Sequence, residues 1–110
     1  DLLKETPGIR FLYDIKDVSH GYSYFPILID KEVFGKSRDE VYELLKENNI
    51  FARRYFYPLI SNFEPYNKLT SSIANNLIVA TKVAEEVLCL PIYVMLEDIQ
   101  IGEIVKIILL

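Results

Sequence analysis

Residues 35–59 read GKSRDEVYELLKENNIFARRYFYPL, and the fold turns on where this stretch changes its period. Ser37-Arg38-Asp39-Glu40 has the form of a capping box: the serine accepts from the third backbone N–H, and the glutamate reaches back to the serine's own N–H. Val41, Leu44 and Leu45 then fall on one helical face, which predicts an amphipathic helix over 38–48, stopped at Asn48-Asn49. From Ile50 to Tyr57 the residues are β-branched and aromatic with no helical spacing, which predicts a strand ended by Pro58. Strand alternation would put Arg53, Tyr55 and Tyr57 on one face and Arg54 and Phe56 on the other. One face must cover helices and the other is left to meet something. Arginine suits a carboxylate or phosphate, and tyrosine adds a flat surface with a hydroxyl. The alternative is an edge strand protected by its charges.

Outward from this block, Pro7-Gly8 is a turn signal, and Ile9–Ile15 alternates as a short strand. KDVSHG (16–21) is turn-like. Residues 21–30, GYSYFPILID, form the clearest strand, and Pro26 predicts that it is an edge strand or carries a bulge. Downstream, residues 59–73 have the composition of a loop. A second helix is expected over 75–88 with Leu77, Ala80, Ala84 and Val87 as its buried stripe and Lys82 meeting Glu86 one turn on. LCLPIYV (88–94) reads as a short strand. Glu97-Asp98 open a last helix whose apolar face carries Ile101, Ile104, Val105 and Ile108. This order predicts an α+β domain over residues 1–110: a small antiparallel or mixed sheet of three to four strands with about three helices packed on it.

At 51% apolar and 25% charged residues, the 110-residue chain has the composition of one folded domain rather than a disordered tail. A net charge of −4 argues against nucleic acid as a partner, and Arg53-Arg54 is a local pair rather than a basic stripe. No apolar run is long enough to span a membrane. The single cysteine, Cys89, offers neither an internal disulfide nor metal-ligand spacing and reads as a buried, inert thiol, which fits a reducing, cytoplasmic setting. His20, the only histidine, reads as a solvated loop residue without a catalytic partner. Glu85-Glu86 and Glu97-Asp98 read as solvated helix charges. The four glycines form no phosphate-cradling loop, and none of the eight lysines lies in an apolar context suited to a Schiff base. The residues thus supply no catalytic, cofactor-binding or metal-binding candidate. The chain begins at Asp1, carries its single methionine at Met95 and stops inside IVKIILL, so it reads as a piece of a longer protein.

Four blocks in order carry a family resemblance: PGI (7–9), GYSYFPILID (21–30), GKSRDEVYELLKENNIFARRYFYPL (35–59) and AEEVLCLPIYVML (84–96). Together they cover nearly the whole chain, and it resembles the C-terminal small domain of the DegT/DnrJ/EryC1/StrS sugar aminotransferases. These are pyridoxal-phosphate (PLP) enzymes of the aspartate aminotransferase fold type, which move an amino group, usually from glutamate, to a keto sugar linked to a nucleotide diphosphate. The resemblance implies that the PLP-binding domain, with its Schiff-base lysine, lies N-terminal to this region and is absent from it. It implies an isolated domain that binds no PLP and does not transaminate, and a full-length homodimeric enzyme of amino-sugar biosynthesis. Relatives commonly carry a His-Tyr pair before the proline of the third block. Here those positions hold Tyr55 and Phe56, with Tyr57 before Pro58. The resemblance implies that Arg54, Tyr55 and Tyr57 face the substrate cleft, and leaves open which of Arg53 and Arg54 does so. The competing reading is a free-standing, non-catalytic α+β module that binds a ligand or a protein.

Overall fold

A computed structural model describes residues 2–110. In chain order they form β1 (Ile9–Phe11), β2 (Phe25–Ile29), α1 (Lys31–Phe34), α2 (Arg38–Glu47), four single 3-10 turns between Ile60 and Asn76, α3 (Ile78–Glu86), β3 (Val87–Leu90) and α4 (Asp98–Ile108). The class is the expected α+β, with four helices among the described residues rather than three.

Helix α2 starts where its capping box puts it. The Ser37 hydroxyl accepts from the Glu40 backbone N–H at 3.2 Å, and the Glu40 carboxylate accepts from the Ser37 backbone N–H at 2.7 Å. The bonds that the carboxylate accepts from the Ser37 N–H and hydroxyl favour its ionised form and hold the Glu40 pKa below its ordinary value. The short helix α1 was not anticipated. Asp30 caps it by accepting from the Glu32 backbone N–H at 3.1 Å, and Gly35 closes it at φ 88°, a conformation that favours glycine. Gly8 is needed for a second reason besides its φ of 81°. A Cβ there would stand 2.4 Å from the Phe34 backbone nitrogen.

The sheet is antiparallel in the order β1-β2-β3, with Ile9 opposite Ile29, Phe11 opposite Ile27, and Ile27 opposite Leu88. The expectation of an edge strand at Pro26 is overturned, because β2 is central. The missing donor is tolerated because β1 stops at Phe11, opposite Ile27, so no β1 residue pairs with Pro26. β1 is also shorter than the predicted 9–15: Leu12, Tyr13 and Ile15 are exposed, and the chain leaves the sheet.

Ile9, Ile27, Ile29, Leu88 and Leu90 point to one side, where Val41 and Leu45 of α2 and Ile104 and Ile108 of α4 complete the core. This single aliphatic cluster is what the helical and strand periods had to match. On the opposite face, Arg10 reaches Glu86 at the end of α3 at 2.8 Å, and Glu86 also meets Lys82 at 3.6 Å. Glu86 is therefore not the solvated charge expected; its side chain is 13% exposed and ties α3 to β1. The predicted stripe of the second helix is also corrected. Ala84 and Val87 are buried, Leu77 is half-buried, and Ala80 is exposed because α3 begins only at Ile78 and meets the sheet by its last turn. In α4, Ile104 and Ile108 are buried and Val105 half-buried, whereas Ile101 is exposed.

Candidate functional site

The predicted strand over 50–57 is reduced to one bridge. The Arg53 N–H donates to the Cys89 carbonyl at 2.9 Å, and the Cys89 N–H donates back to Arg53 at 2.8 Å. The chain then turns at Tyr55-Phe56, with Phe56 at φ 43°. A turn cancels the alternation, so the predicted sharing of faces fails. Arg53 stays exposed beside β3, while Arg54 and Tyr57, assigned to opposite faces, come together.

They meet in a column. The Arg54 guanidinium lies over the Tyr42 ring at 4.4 Å and 5.6 Å from the Tyr57 ring. The Arg38 guanidinium lies 4.5 Å from the same Tyr57 ring. These contacts link Tyr42 to Arg54, Arg54 to Tyr57 and Tyr57 to Arg38, each pairing a cation with an aromatic ring. One carboxylate serves both cations: Asp39 Oδ1 accepts from Arg54 Nη1 at 3.2 Å and stands 2.8 Å from Arg38 Nε. That second contact is off the hydrogen-bonding line, so Nε is buried without a hydrogen bond.

The two arginines differ in depth. Arg38 is 2% exposed, and its Nη1 donates to the Ala84 carbonyl at 3.1 Å and the Val87 carbonyl at 3.2 Å. It thereby satisfies carbonyls at the C-terminal end of α3, where a positive charge is favoured. The Arg54 side chain is 35% exposed and spends one of its five N–H donors on Asp39. Two guanidiniums against one carboxylate leave one net positive charge at a rim of tyrosines, which can receive an anion.

Tyr55 is not part of the column. It is half-buried, edge-on to Tyr24 at 5.1 Å and packed on Phe56 at 4.2 Å. Of the residues expected to face a cleft, Arg54 and Tyr57 are thus brought together, and Tyr55 stands in an adjoining aromatic group. Arg38, Asp39, Tyr42 and Tyr24 were missed. Arg38 and Asp39 had been read only as the start of a helix; the i,i+4 spacing of Arg38 and Tyr42 was the available signal that both look to one side.

The remaining candidates stay bland. Cys89 is buried, and that burial pushes its thiol up despite the nearby Arg53 charge. His20 is half-buried rather than fully solvated, its Nε2 accepting from the Ile15 N–H at 3.0 Å. Among the described residues no group of three or more His, Cys, Asp or Glu is placed to hold a metal. No described helix is long and apolar enough to cross a membrane. All eight lysines are exposed or half-buried. A cavity of about 210 Å³, lined by Leu3, Phe11, Leu90, Leu96 and Ile104 among others, is almost wholly apolar and is lined by no residue of the column.

Comparison with known proteins adds three findings. The chain is 51% identical over 109 residues to an Escherichia coli dTDP-4-amino-4,6-dideoxy-D-glucose transaminase, covering 99% of this chain and 29% of that protein. It is 41% identical over 93 residues to a protein of the same name from Shigella dysenteriae, covering 83% of this chain and 24% of the relative. The fold matches a crystal structure of DesI in the presence of its TDP-sugar product, with a TM-score of 0.79 and 25% identity over 96% of this chain and 26% of that one. The chain therefore spans less than a third of the length of these relatives. The match to the family extends over residues 1–109, and the chain belongs to the DegT/DnrJ/EryC1/StrS aminotransferase family.

Proposed function

We propose that this chain is the substrate-side, C-terminal domain of a PLP-dependent aminotransferase acting on a nucleotide-linked keto sugar, with Arg54 and Tyr57, and Tyr55 beside them, facing the substrate. The observation that carries the proposal is the tyrosine–arginine column: a partly exposed guanidinium resting against Tyr42 and near Tyr57, with a net positive charge, in a family whose relatives carry names of dTDP-sugar transaminases. A diphosphate is the kind of anion that such a guanidinium grips through its remaining N–H donors.

The residues of this chain do not fit PLP. A cofactor lysine works from a desolvated pocket, and no lysine here is buried. The cofactor and its chemistry therefore belong to the rest of the protein, and the isolated domain is inactive. What this domain contributes is orientation of the sugar nucleotide and exclusion of water, which lower a barrier by restricting geometry. The amino donor is glutamate, and the full-length protein is a cytoplasmic homodimer without nucleic acid or membrane partners.

The test uses the full-length protein. It should develop the yellow absorbance of bound PLP, and Arg54→Ala should raise KM for the nucleotide sugar about tenfold or more while leaving the melting temperature nearly unchanged, as expected for loss of one charge-assisted contact. A wild-type KM in that variant removes Arg54 from the site. A full-length protein that stays colourless at saturating PLP ends the aminotransferase reading.

A further inference from the structure

The column contains a carboxylate that the proposed function does not use. Asp39 lies in the first turn of α2, half in solvent, with its side chain 52% exposed. An acidic residue there is favourable for the helix alone. Its geometry shows more. Oδ1 is shared between two guanidiniums that come from positions 38 and 54 and that both lie on the ring of Tyr57.

Two cations on one ring repel each other. Their freedom to respond is unequal. Arg38 is 2% exposed and hydrogen-bonded to the Ala84 and Val87 carbonyls, so it cannot leave. Arg54 is 35% exposed and its side chain is long, so without a counter-ion it is the one that swings into solvent. Asp39 removes the repulsion and engages only Nη1 of Arg54, so the rest of the guanidinium is left for a ligand. A side chain already ordered gives up less rotamer freedom when the ligand arrives.

We propose that Asp39 is a positioning residue: its carboxylate ties Arg38 to Arg54 and thereby holds Arg54 against Tyr42 and beside Tyr57, preorganised for the anionic end of the substrate. The proposal rests on the reading of Arg54 as a substrate contact. An opposing effect exists, since Asp39 also repels an anion directly. The two are separable, because repulsion acts with or without Arg54, whereas positioning requires it.

The experiment is a double-mutant cycle in the full-length PLP-loaded enzyme, measuring KM and kcat for the nucleotide sugar and the calorimetric Kd of dTDP as a probe. D39N keeps the side-chain shape and removes the charge. It should raise KM and the dTDP Kd about threefold or more with kcat nearly unchanged, within the range of coupled neighbours. In the R54A background, D39N should produce no increase at all. D39E, which keeps the charge one methylene further out, should fall between wild type and D39N, and it carries the test should D39N fail to fold. A wild-type KM in D39N and D39E, or the same fold increase with and without Arg54, overturns the positioning role. If R54A raises KM and D39N does not, Asp39 alone is excluded; if R54A itself leaves KM unchanged, the substrate-contact reading falls, and this proposal with it.

Discussion

The aliphatic core and the tyrosine–arginine column sit on the same helix and behave differently. In α2, Val41 and Leu45 enter the cluster under the sheet with Ile27, Leu88 and Ile108, each at most 1% exposed. Their attraction is non-directional and scales with area removed from water, so spacing alone brings them together. Arg38, Asp39 and Tyr42, from the same helix, join Arg54 and Tyr57 instead. These contacts are directional: ring faces, one shared carboxylate oxygen, and two carbonyls at the end of α3. They form only if the chain turns at Tyr55-Phe56 and brings residue 57 back. One region follows from periodicity and the other from a turn.

This contrast can be broken by substitution. Leu88→Ala, at 0% exposure on β3 opposite Ile27 of the central strand, should cost about 3–4 kcal/mol, within the range for a large-to-small change in a packed core, measured by denaturant unfolding of the full-length protein. Arg38→Ala should cost nearly as much, about 2–4 kcal/mol, because it strips two carbonyls of their donor and leaves a hole beside Tyr57. If Arg38→Ala is as mild as a surface change, the column is not anchored where the contacts put it. Ser37→Ala should cost about 1 kcal/mol through loss of the helix cap, read as a shift in the urea midpoint. Arg54→Ala sharpens the comparison from the other side. The ion pair and ring contacts that are lost are partly exposed, so stability should fall by no more than about 1 kcal/mol, and the main effect should appear in KM.

The smallest expected effect is one of pH. Hydrogen bonds from the Ser37 backbone N–H and hydroxyl hold the Glu40 carboxyl below its ordinary value of 4.5. A depressed folded-state pKa means that the stabilisation is present above 4.5 and is lost as pH falls through the lower, folded value. The unfolding midpoint of wild type should therefore fall more steeply on acidification below that point than that of Glu40→Gln. Parallel curves would show that the capping glutamate is not linked to folding.

Much of the fold was legible. The capping box, the helices around 38–48 and 98–108, the strand near 25–29 and the burial of Cys89 all rest on local rules that a sequence displays. The misreadings share a cause. Aromatic residues at 50–57 have strand propensity, but a strand needs a neighbour along its length; running antiparallel to β3, the segment meets Pro91 on one side of the Arg53–Cys89 bridge and the end of α3 on the other. Pro26 was sent to an edge because local chemistry cannot say how far a neighbouring strand extends. Glu86 looked solvated because Arg10, 76 positions away, is invisible to any window around α3.

For the candidate site, the sequence singled out Arg54 and Tyr57 without showing that they lie together. What the amino acids determined alone was the class of fold, the placement of the capped helix and the aliphatic stripes, because capping and periodic burial act over one or two turns of chain. The tertiary structure alone decided that Arg38, Asp39, Tyr42, Arg54 and Tyr57 form one charged column. Cation–π contacts and a shared counter-ion depend on distance in space, and a single turn after Arg53 sets those distances.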